Sequence, residues 1–554
     1  MFAVVSALFL LITLNTLIAE RQVIPMERPP DLLPSEPLLL PQSNLVPVLP
    51  DWPPSTTPFA AFNPFPAPPE NLTPLPFAPF SPYSNLVQNY ALPPGAGHAA
   101  IAAAPAPPLI PSSLVLPPPT WPPPITLPPI YGTSRGTTLK PINIDPEAIM
   151  GVPEIIQHWG YPVEEHQVTT ADGYILTLHR IPHGKKNANS TSVRPVIFLQ
   201  HGLLCTSSIW LLNLPHQSAG FVFADQGFDV WLGNMRGNVY SKEHVSLSSE
   251  SNDFWKFSWE QMAKYDLPAM IDYVLNETEQ TSLYYVGHSQ GTLTMLAKLS
   301  KDKKFAKKIR KFFALAPVSR MSHVKGLFLY LGKIYEQFSL VYRIFGDNEF
   351  LSNNIFTRLL TDIICDKSVN NPICENFIFS VSGPNSNQFN SSRIGIYLAH
   401  NPAGTSSRNM LHFAQMVHNK KMESFDRGKE ANLRWYGQST PPEYNLTNVH
   451  CDTYLFYSDY DWLAPAADVE HFLIPTLPRT SVKFARKLKN FNHNDFLWGL
   501  RARKEIYDRI TNIIKIDSRK LTLQRNMDSY FRRQSGNKTI DEISNKLNDT
   551  LKLD

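Results

Sequence analysis

Cysteine is scarce in this chain: four residues, Cys205, Cys365, Cys374 and Cys451, stand among 554. None belongs to a C-x-x-C pair and no spaced histidine pair accompanies them, so a structural zinc is not expected, and nothing else in the sequence implies a metal or an organic cofactor. Excess charge is missing as well. The formal net charge is +4 and the Lys and Arg residues are scattered, which argues against a nucleic-acid partner. Long apolar runs are confined to residues 1–19, "MFAVVSALFLLITLNTLIA"; nothing else approaches the roughly 18 uninterrupted apolar residues of a membrane-spanning helix. That run is uncharged and is followed by Glu20 and Arg21. It is expected to be a secretory signal peptide cut after Ala19, with an uncleaved anchor as the alternative, and after cleavage no transmembrane segment is expected.

What is abundant is proline, and unevenly: 33 of the 50 prolines fall between residues 21 and 140, in stretches such as "PLIPSSLVLPPPTWPPPITLPPI". At that density the backbone loses donors and its φ angles are fixed, so neither helix nor sheet can propagate. Residues 20–145 are therefore expected to be an extended, disordered arm outside the fold, a spacer, with a ligand for proline-binding modules as the alternative. A second region outside the fold is expected at 517–554, a polar C-terminal tail. Entry into the secretory pathway is consistent with seven N-x-S/T sequons, at Asn71, Asn189, Asn276, Asn390, Asn445, Asn537 and Asn548, of which Asn189, Asn276, Asn390 and Asn445 fall within the folded part. Cys365 and Cys374 have a loop-sized spacing that an oxidising lumen would bridge, whereas Cys205 and Cys451 read as isolated thiols.

From about Pro146 the pattern becomes an α/β alternation. "RPVIFLQ" (194–200), "FDVWLG" (228–233), "LYYVG" (283–287), "RKFFALAP" (310–317) and "DTYLFYS" (452–458) read as short buried strands, with helical patterns such as "WEQMAKYDLPAMIDYVLN" and "TLTMLAKLSKDKKFAKKI" between them. This predicts a mainly parallel sheet with helices on both faces and a ligand site beyond the carboxyl ends of the strands. Between 319 and 444 the alternation gives way to aromatic-rich helical patterns and then resumes. An insertion there would cap the site, which divides the core into 146–318 and 445–516; a second independent domain is the alternative.

"YYVGHSQGT" at 284–292 ends one predicted strand in G-x-S-x-G. Such a run closes many ordinary turns, but it also fits a nucleophile elbow that presents Ser289 at the strand end. A serine hydroxyl needs a base, a carboxylate to orient the base, and donors for an oxyanion. In an α/β-hydrolase the acid and the histidine follow the serine in chain order. His471 and His493 come after the strand at 452–458; His471 sits in a helical pattern, whereas His493 in "FNHNDFLWG" occupies a loop after the strand-like "VKFARKL". His493 is the expected base. For the acid, "YSDYDWLAP" offers Asp459 and Asp461, and position alone does not separate them. The oxyanion donors expected are the N–H groups of Gln290, after the nucleophile, and Leu203, in "LQHGLLCTSSIW" after the first predicted strand. His201 and His288 each abut an elbow glycine and read as packing around it.

"FLQHGLL", "FDVWLGNMRGN", "MAKYDLPAMIDYV", "GHSQGT", "YLAHNPAGTS", "DWLAP" and "FNHNDFLWG" together resemble the gastric and lysosomal acid lipases. The resemblance runs from "IIQHWGYPVEEHQVTTADGYILTLHRIP" to about Ile514. It implies an α/β-hydrolase core with a helical cap, and a secreted or lysosomal glycoprotein that hydrolyses carboxylic esters of lipids at a lipid–water interface. It implies Ser289 as nucleophile, Asp461 rather than Asp459 as acid, His493 as base, Leu203 and Gln290 as oxyanion donors, and a Cys365–Cys374 disulfide in the cap. It further implies an acid optimum. This chain departs from the family in "SDYDWLA", where relatives more often have "GGxDxLA", and in Ser382, which stands where relatives carry a third cap cysteine. A short-chain esterase and a non-catalytic lipid-binding scaffold are the competing functions.

If the proline-rich arm is a spacer, a chain starting near Pro141 behind a substitute signal peptide keeps every predicted strand and should turn over a soluble ester at close to the full-length rate. Kinetics on a soluble ester and on an emulsion check this. Loss on the emulsion alone would make the arm an interfacial anchor, and loss on both would put it in the fold.

Overall fold

A computed structural model of the chain describes residues 145–186, 193–351 and 378–534. The expected signal peptide, nearly all of the arm, Cys365, Cys374 and the sequons at Asn71, Asn189, Asn537 and Asn548 lie outside the described residues. Eleven strands are described: β1 (Glu164–Thr169), β2 (Tyr174–Ile181), β3 (Val196–Gln200), β4 (Asp229–Gly233), β5 (Glu243–His244), β6 (Leu283–His288), β7 (Ile309–Leu315), β8 (Glu349–Phe350), β9 (Thr405–Ser406), β10 (Thr453–Ser458) and β11 (Val482–Leu488). One sheet runs in the order β1-β2-β4-β3-β6-β7-β10-β11, with β5 on β2. The pairs β1/β2 and β2/β4 are antiparallel, and every pair from β4 to β11 is parallel. All five strands read from periodicity are present. They were legible because a strand covered by helices on both faces is apolar throughout, and every residue of β3, β4 and β6 is buried.

The order places a topological switch beside β3. The chain goes from β3 outward to β4 on one side and then to β6 on the other, which opens a crevice at the carboxyl ends of β3 and β6. The turns leaving those two strands, at Gly202 and Ser289, are packed against each other. A Cβ on Gly291 would lie 2.5 Å from the carbonyl oxygen of Gln200 and 2.9 Å from that of His201, and one on Gly287 would lie 2.8 Å from the backbone of Gly291. Both glycines are therefore required by backbone-to-backbone contact, not by turn flexibility.

Between β7 and β10 stand the helices Gly326–Lys333, Tyr335–Phe345, Ile394–His400, Ser407–Asn419 and Lys429–Tyr436, together with the two-stranded pair β8/β9. No strand of the main sheet falls in that stretch among the described residues. At the C-terminus the helix Asp508–Gln534 runs on past Asp517, so the polar segment read from 517 starts as a continuation of a core helix. Asp517 anchors it by accepting from the Tyr284 hydroxyl at 2.8 Å and pairing with Arg310 and with Lys311 at 3.1 Å. Among the sequons, Asn276 and Asn445 are exposed and Asn390 is partly exposed. Among the described residues no helix is long and apolar enough to cross a membrane.

Helix propensity alone would make Gly291→Ala stabilising by about 1 kcal/mol. The carbonyl contacts of Gly291 reverse the sign: a destabilisation on the order of 1–3 kcal/mol is expected. Chemical denaturation of the purified variant measures it.

Candidate active site

Ser289 separates β6 from the helix Gln290–Lys301 and takes φ 53° and ψ −117°, a conformation that costs a non-glycine residue energy. It is held there from both sides. Its N–H donates to the carbonyl of Leu315 at 3.1 Å, and its own carbonyl accepts the Thr292 N–H at 2.8 Å and the Thr292 hydroxyl at 2.6 Å. Gly202 lies alongside, since a Cβ there would come within 3.0 Å of the Ser289 Cβ.

Asp461 follows β10 and is fully buried. Its Oδ1 accepts the N–H groups of Leu463 at 2.9 Å and Ala464 at 2.8 Å, and both of its oxygens lie 2.9 Å from His493 Nδ1. Backbone donors satisfy the buried carboxylate, and its bond to Nδ1–H leaves Nε2 of His493 as the acceptor. Asp459, two residues earlier, is exposed and pairs with Lys487 at 2.8 Å. Of the two aspartates of this turn, Asp461 points inward to His493 and Asp459 outward to solvent. His471 is exposed on its helix, away from this group.

Ser289 and His493 line one cavity whose walls are otherwise almost entirely apolar, including Leu203, Ile209, Val318, Phe328, Leu331 and Phe413. The backbone N–H groups of Leu203 and Gln290 meet no hydrogen-bond acceptor among the described residues. Those two groups leave the ends of β3 and β6, at the crevice.

His201 and His288 are neutral structural histidines. His201 donates from Nδ1 to the Gly202 carbonyl at 2.8 Å and accepts at Nε2 from the N–H of Met235 at 3.1 Å, and burial lowers its pKa to about 4. His288 donates from Nε2 to the carbonyl of His493 at 2.9 Å; burial, helped by the nearby His493 ring, holds its pKa well below the usual range. A second Ser–His–carboxylate arrangement exists at Ser207, whose Oγ lies 2.9 Å from His179 Nδ1, with Glu165 3.2 Å from Nε2. Ser207 is fully buried and Asn234 donates to its Oγ at 3.1 Å, so no substrate can reach it.

Sequence reasoning missed two cap contacts. Asn409, on the helix Ser407–Asn419, donates to the Gln290 side chain at 2.8 Å and accepts the Trp259 N–H at 2.8 Å. The Ser382 carbonyl accepts the N–H of His493 at 3.0 Å. These three bonds join residues 111 to 150 positions apart, and no local periodicity marks them. Cys205 and Cys451 are free thiols whose pKa burial pushes up to about 12. Among the described residues no group of three or more His, Cys, Asp or Glu is placed to hold a metal ion.

Residues 195–500 match the family model described as alpha/beta hydrolase fold, and residues 152–214 match the partial alpha/beta-hydrolase lipase region. Among curated proteins, the chain is 48% identical over 379 residues to Lipase lipl-1 of Caenorhabditis elegans, an alignment spanning 68% of this chain and 94% of that one. It is 44% identical to gastric triacylglycerol lipase of Bos taurus over 69% of this chain and 95% of the relative. It is 43% identical to lysosomal acid lipase/cholesteryl ester hydrolase of Homo sapiens, again over 69% and 95%.

The loop bearing His493 is closed by a reciprocal cap. The Asp495 carboxylate accepts the Asn492 N–H at 2.7 Å, and the Asn492 side-chain oxygen accepts the N–H groups of Asn494 and Asp495, each at 3.1 Å. Burial lifts the Asp495 pKa to about 6, against the lowering pull of Ser386, the Asn492 N–H and Arg501 and with a further push from the charge of Asp461. An unfolded Asp titrates near about 3.9. The folded value is raised, so the stability this group contributes is fully present below about pH 4 and is lost as pH rises through about 6. Asp495→Asn removes the titration. Relative to wild type, the variant should gain on the order of 2 kcal/mol between pH 4 and pH 7, read from denaturation curves at both pH values.

Proposed function

The chain belongs to the α/β-hydrolase lipases of the gastric and lysosomal acid lipase family and is an ester hydrolase, and from that premise we propose that Ser289, His493 and Asp461 carry out the reaction. His493 Nε2 takes the proton of the Ser289 hydroxyl as Oγ attacks the acyl carbonyl. The alcohol leaves with that proton, and a water activated by the same nitrogen then releases the acyl group from Ser289. Asp461 holds the imidazole in the tautomer this requires and stabilises the imidazolium. The N–H groups of Leu203 and Gln290 receive the oxyanion, a role supported by their want of any other acceptor among the described residues. The observation that carries the reading is the buried Asp461–His493 pair, both oxygens at 2.9 Å, opening on the same cavity as a strained Ser289.

The preferred ester is one with a long acyl chain, a triacylglycerol or a cholesteryl ester, because the cavity offers apolar side chains and few polar partners. The helix Gly326–Lys333 contributes Leu327, Phe328 and Leu331 to its wall. The adjoining helix exposes Leu340 and Ile344, which suits a mouth that meets a lipid–water interface. The enzyme works in the secretory pathway, in a lysosome or outside the cell, as the leader-like residues 1–19, the sequons and the nature of its relatives suggest. The Cys365–Cys374 disulfide is part of this proposal.

Ser289→Ala should abolish hydrolysis of both a soluble and an emulsified ester while secretion continues. Asp461→Asn should cost about four orders of magnitude in kcat by analogy with other triads, and Asp459→Asn should leave kcat within about twofold, since that side chain makes a solvent-screened pair. The reverse ranking of the two aspartates would overturn the assignment of the acid.

A further inference from the structure

Residues 382–388 of the cap form a strap across the loops that carry Asp461 and His493. The Ser382 carbonyl oxygen accepts two N–H groups, that of His493 at 3.0 Å and that of Trp462 at 3.4 Å. One oxygen therefore spans the histidine and the residue next to the aspartate. Gly383 follows at φ +124°, and a Cβ on it would be driven into the carbonyl oxygen of Tyr460 while standing 3.3 Å from the Asn492 Cβ. It occupies the gap between the two loops with no room for a side chain. The strap is then stitched down. The Pro384 carbonyl accepts from Asn492 Nδ2 at 3.3 Å, Gln388 Nε2 donates to the Asn490 carbonyl at 2.7 Å, and the Gln388 carbonyl accepts the Leu500 N–H at 3.0 Å.

Resting on the triad reading above, we propose that Ser382 and Gly383 are positioning residues for ester hydrolysis, which set the spacing of the acid and base loops through the Ser382 carbonyl. The backbone of His493 has its N–H bound by Ser382 and its carbonyl bound by His288. With both ends held, the ring keeps one placement relative to Ser289. The part of the cap that does this is continuous with the wall of the cavity, where Ile378 and Val381 stand, so cap and catalytic loops share a frame. A side chain at 383 pushes that frame apart without touching substrate.

Gly383→Ala tests this, with Gly428→Ala as the control. Gly428 is a cap glycine at φ +84° with nothing within 4 Å of its Cβ position, so it carries the backbone strain without the wedge. On a soluble ester, Gly383→Ala should lower kcat by about a hundredfold, the cost of a displacement of about 1 Å at a reacting group, with KM within about twofold of wild type. Gly428→Ala should lose some thermal stability and keep its kcat. Wild-type kcat in Gly383→Ala, or a loss confined to KM, overturns the positioning role. Ser289→Ala is measured in parallel: if it keeps its activity, the triad reading falls and the positioning role with it. If it is inactive while Gly383→Ala is fully active, only the positioning role falls. Should Gly383→Ala fail to accumulate as folded protein, hydrogen exchange on the unaltered enzyme decides. A slowly exchanging His493 amide supports the bridge, and exchange at the rate of an unstructured amide overturns it.

Discussion

A carboxylate with no exposed surface is tolerated in a protein interior when donors replace the water it has lost, and Asp461 is the group around which this site is arranged. Two backbone N–H groups and the His493 ring satisfy it. For those donors to converge, the loop after β10 and the loop after β11 must be locked together. They are joined at the root by the Ser458 hydroxyl, whose oxygen accepts the N–H groups of Tyr460 at 3.2 Å and Phe491 at 3.1 Å, and further out by the Ser382 carbonyl. The Asp461 carboxylate is thus held by backbone and side-chain bonds from both loops, and His493, whose Nδ1 faces it, lines the cavity.

The serine side of the site depends on a different force, the close approach of two backbones. Gly291 lets the turn after β6 pack against the carbonyls of Gln200 and His201 after β3, Gly287 lets that turn close on itself against Gly291, and Gly202 brings the β3 turn beside Ser289. The cap then reaches in through Asn409 to the side chain of Gln290. The segment between β7 and β10 thus meets the core in two places, at the Gln290 side chain through Asn409 and at the His493 N–H through Ser382.

Much of this was legible in the sequence because it is local. Buried parallel strands are apolar without interruption, and an elbow announces itself by two glycines flanking a serine within five residues. β1 was not read as a strand, since "EEHQVT" alternates partly exposed and exposed positions at the edge of the sheet and carries no apolar run. The helical course of residues 517–534 was hidden by their polarity, since Asp517 is fixed by Tyr284, Arg310 and Lys311, all far away in the chain. Asp459 and Asp461 share a turn and differ only in the direction in which the backbone sends them, which position does not encode; the family resemblance separated them. Ser382, Gly383 and Asn409 act through contacts that only the tertiary fold creates.

The most direct test of the account is to treat the enzyme with a fluorophosphonate, which bonds covalently to an activated serine, and to map the modified peptide by mass spectrometry. The account predicts a single phosphonyl adduct, on Ser289, formed in step with the loss of ester hydrolysis. An enzyme that is inactivated with Ser289 unmodified, or that keeps hydrolysing with Ser289 fully modified, would contradict it.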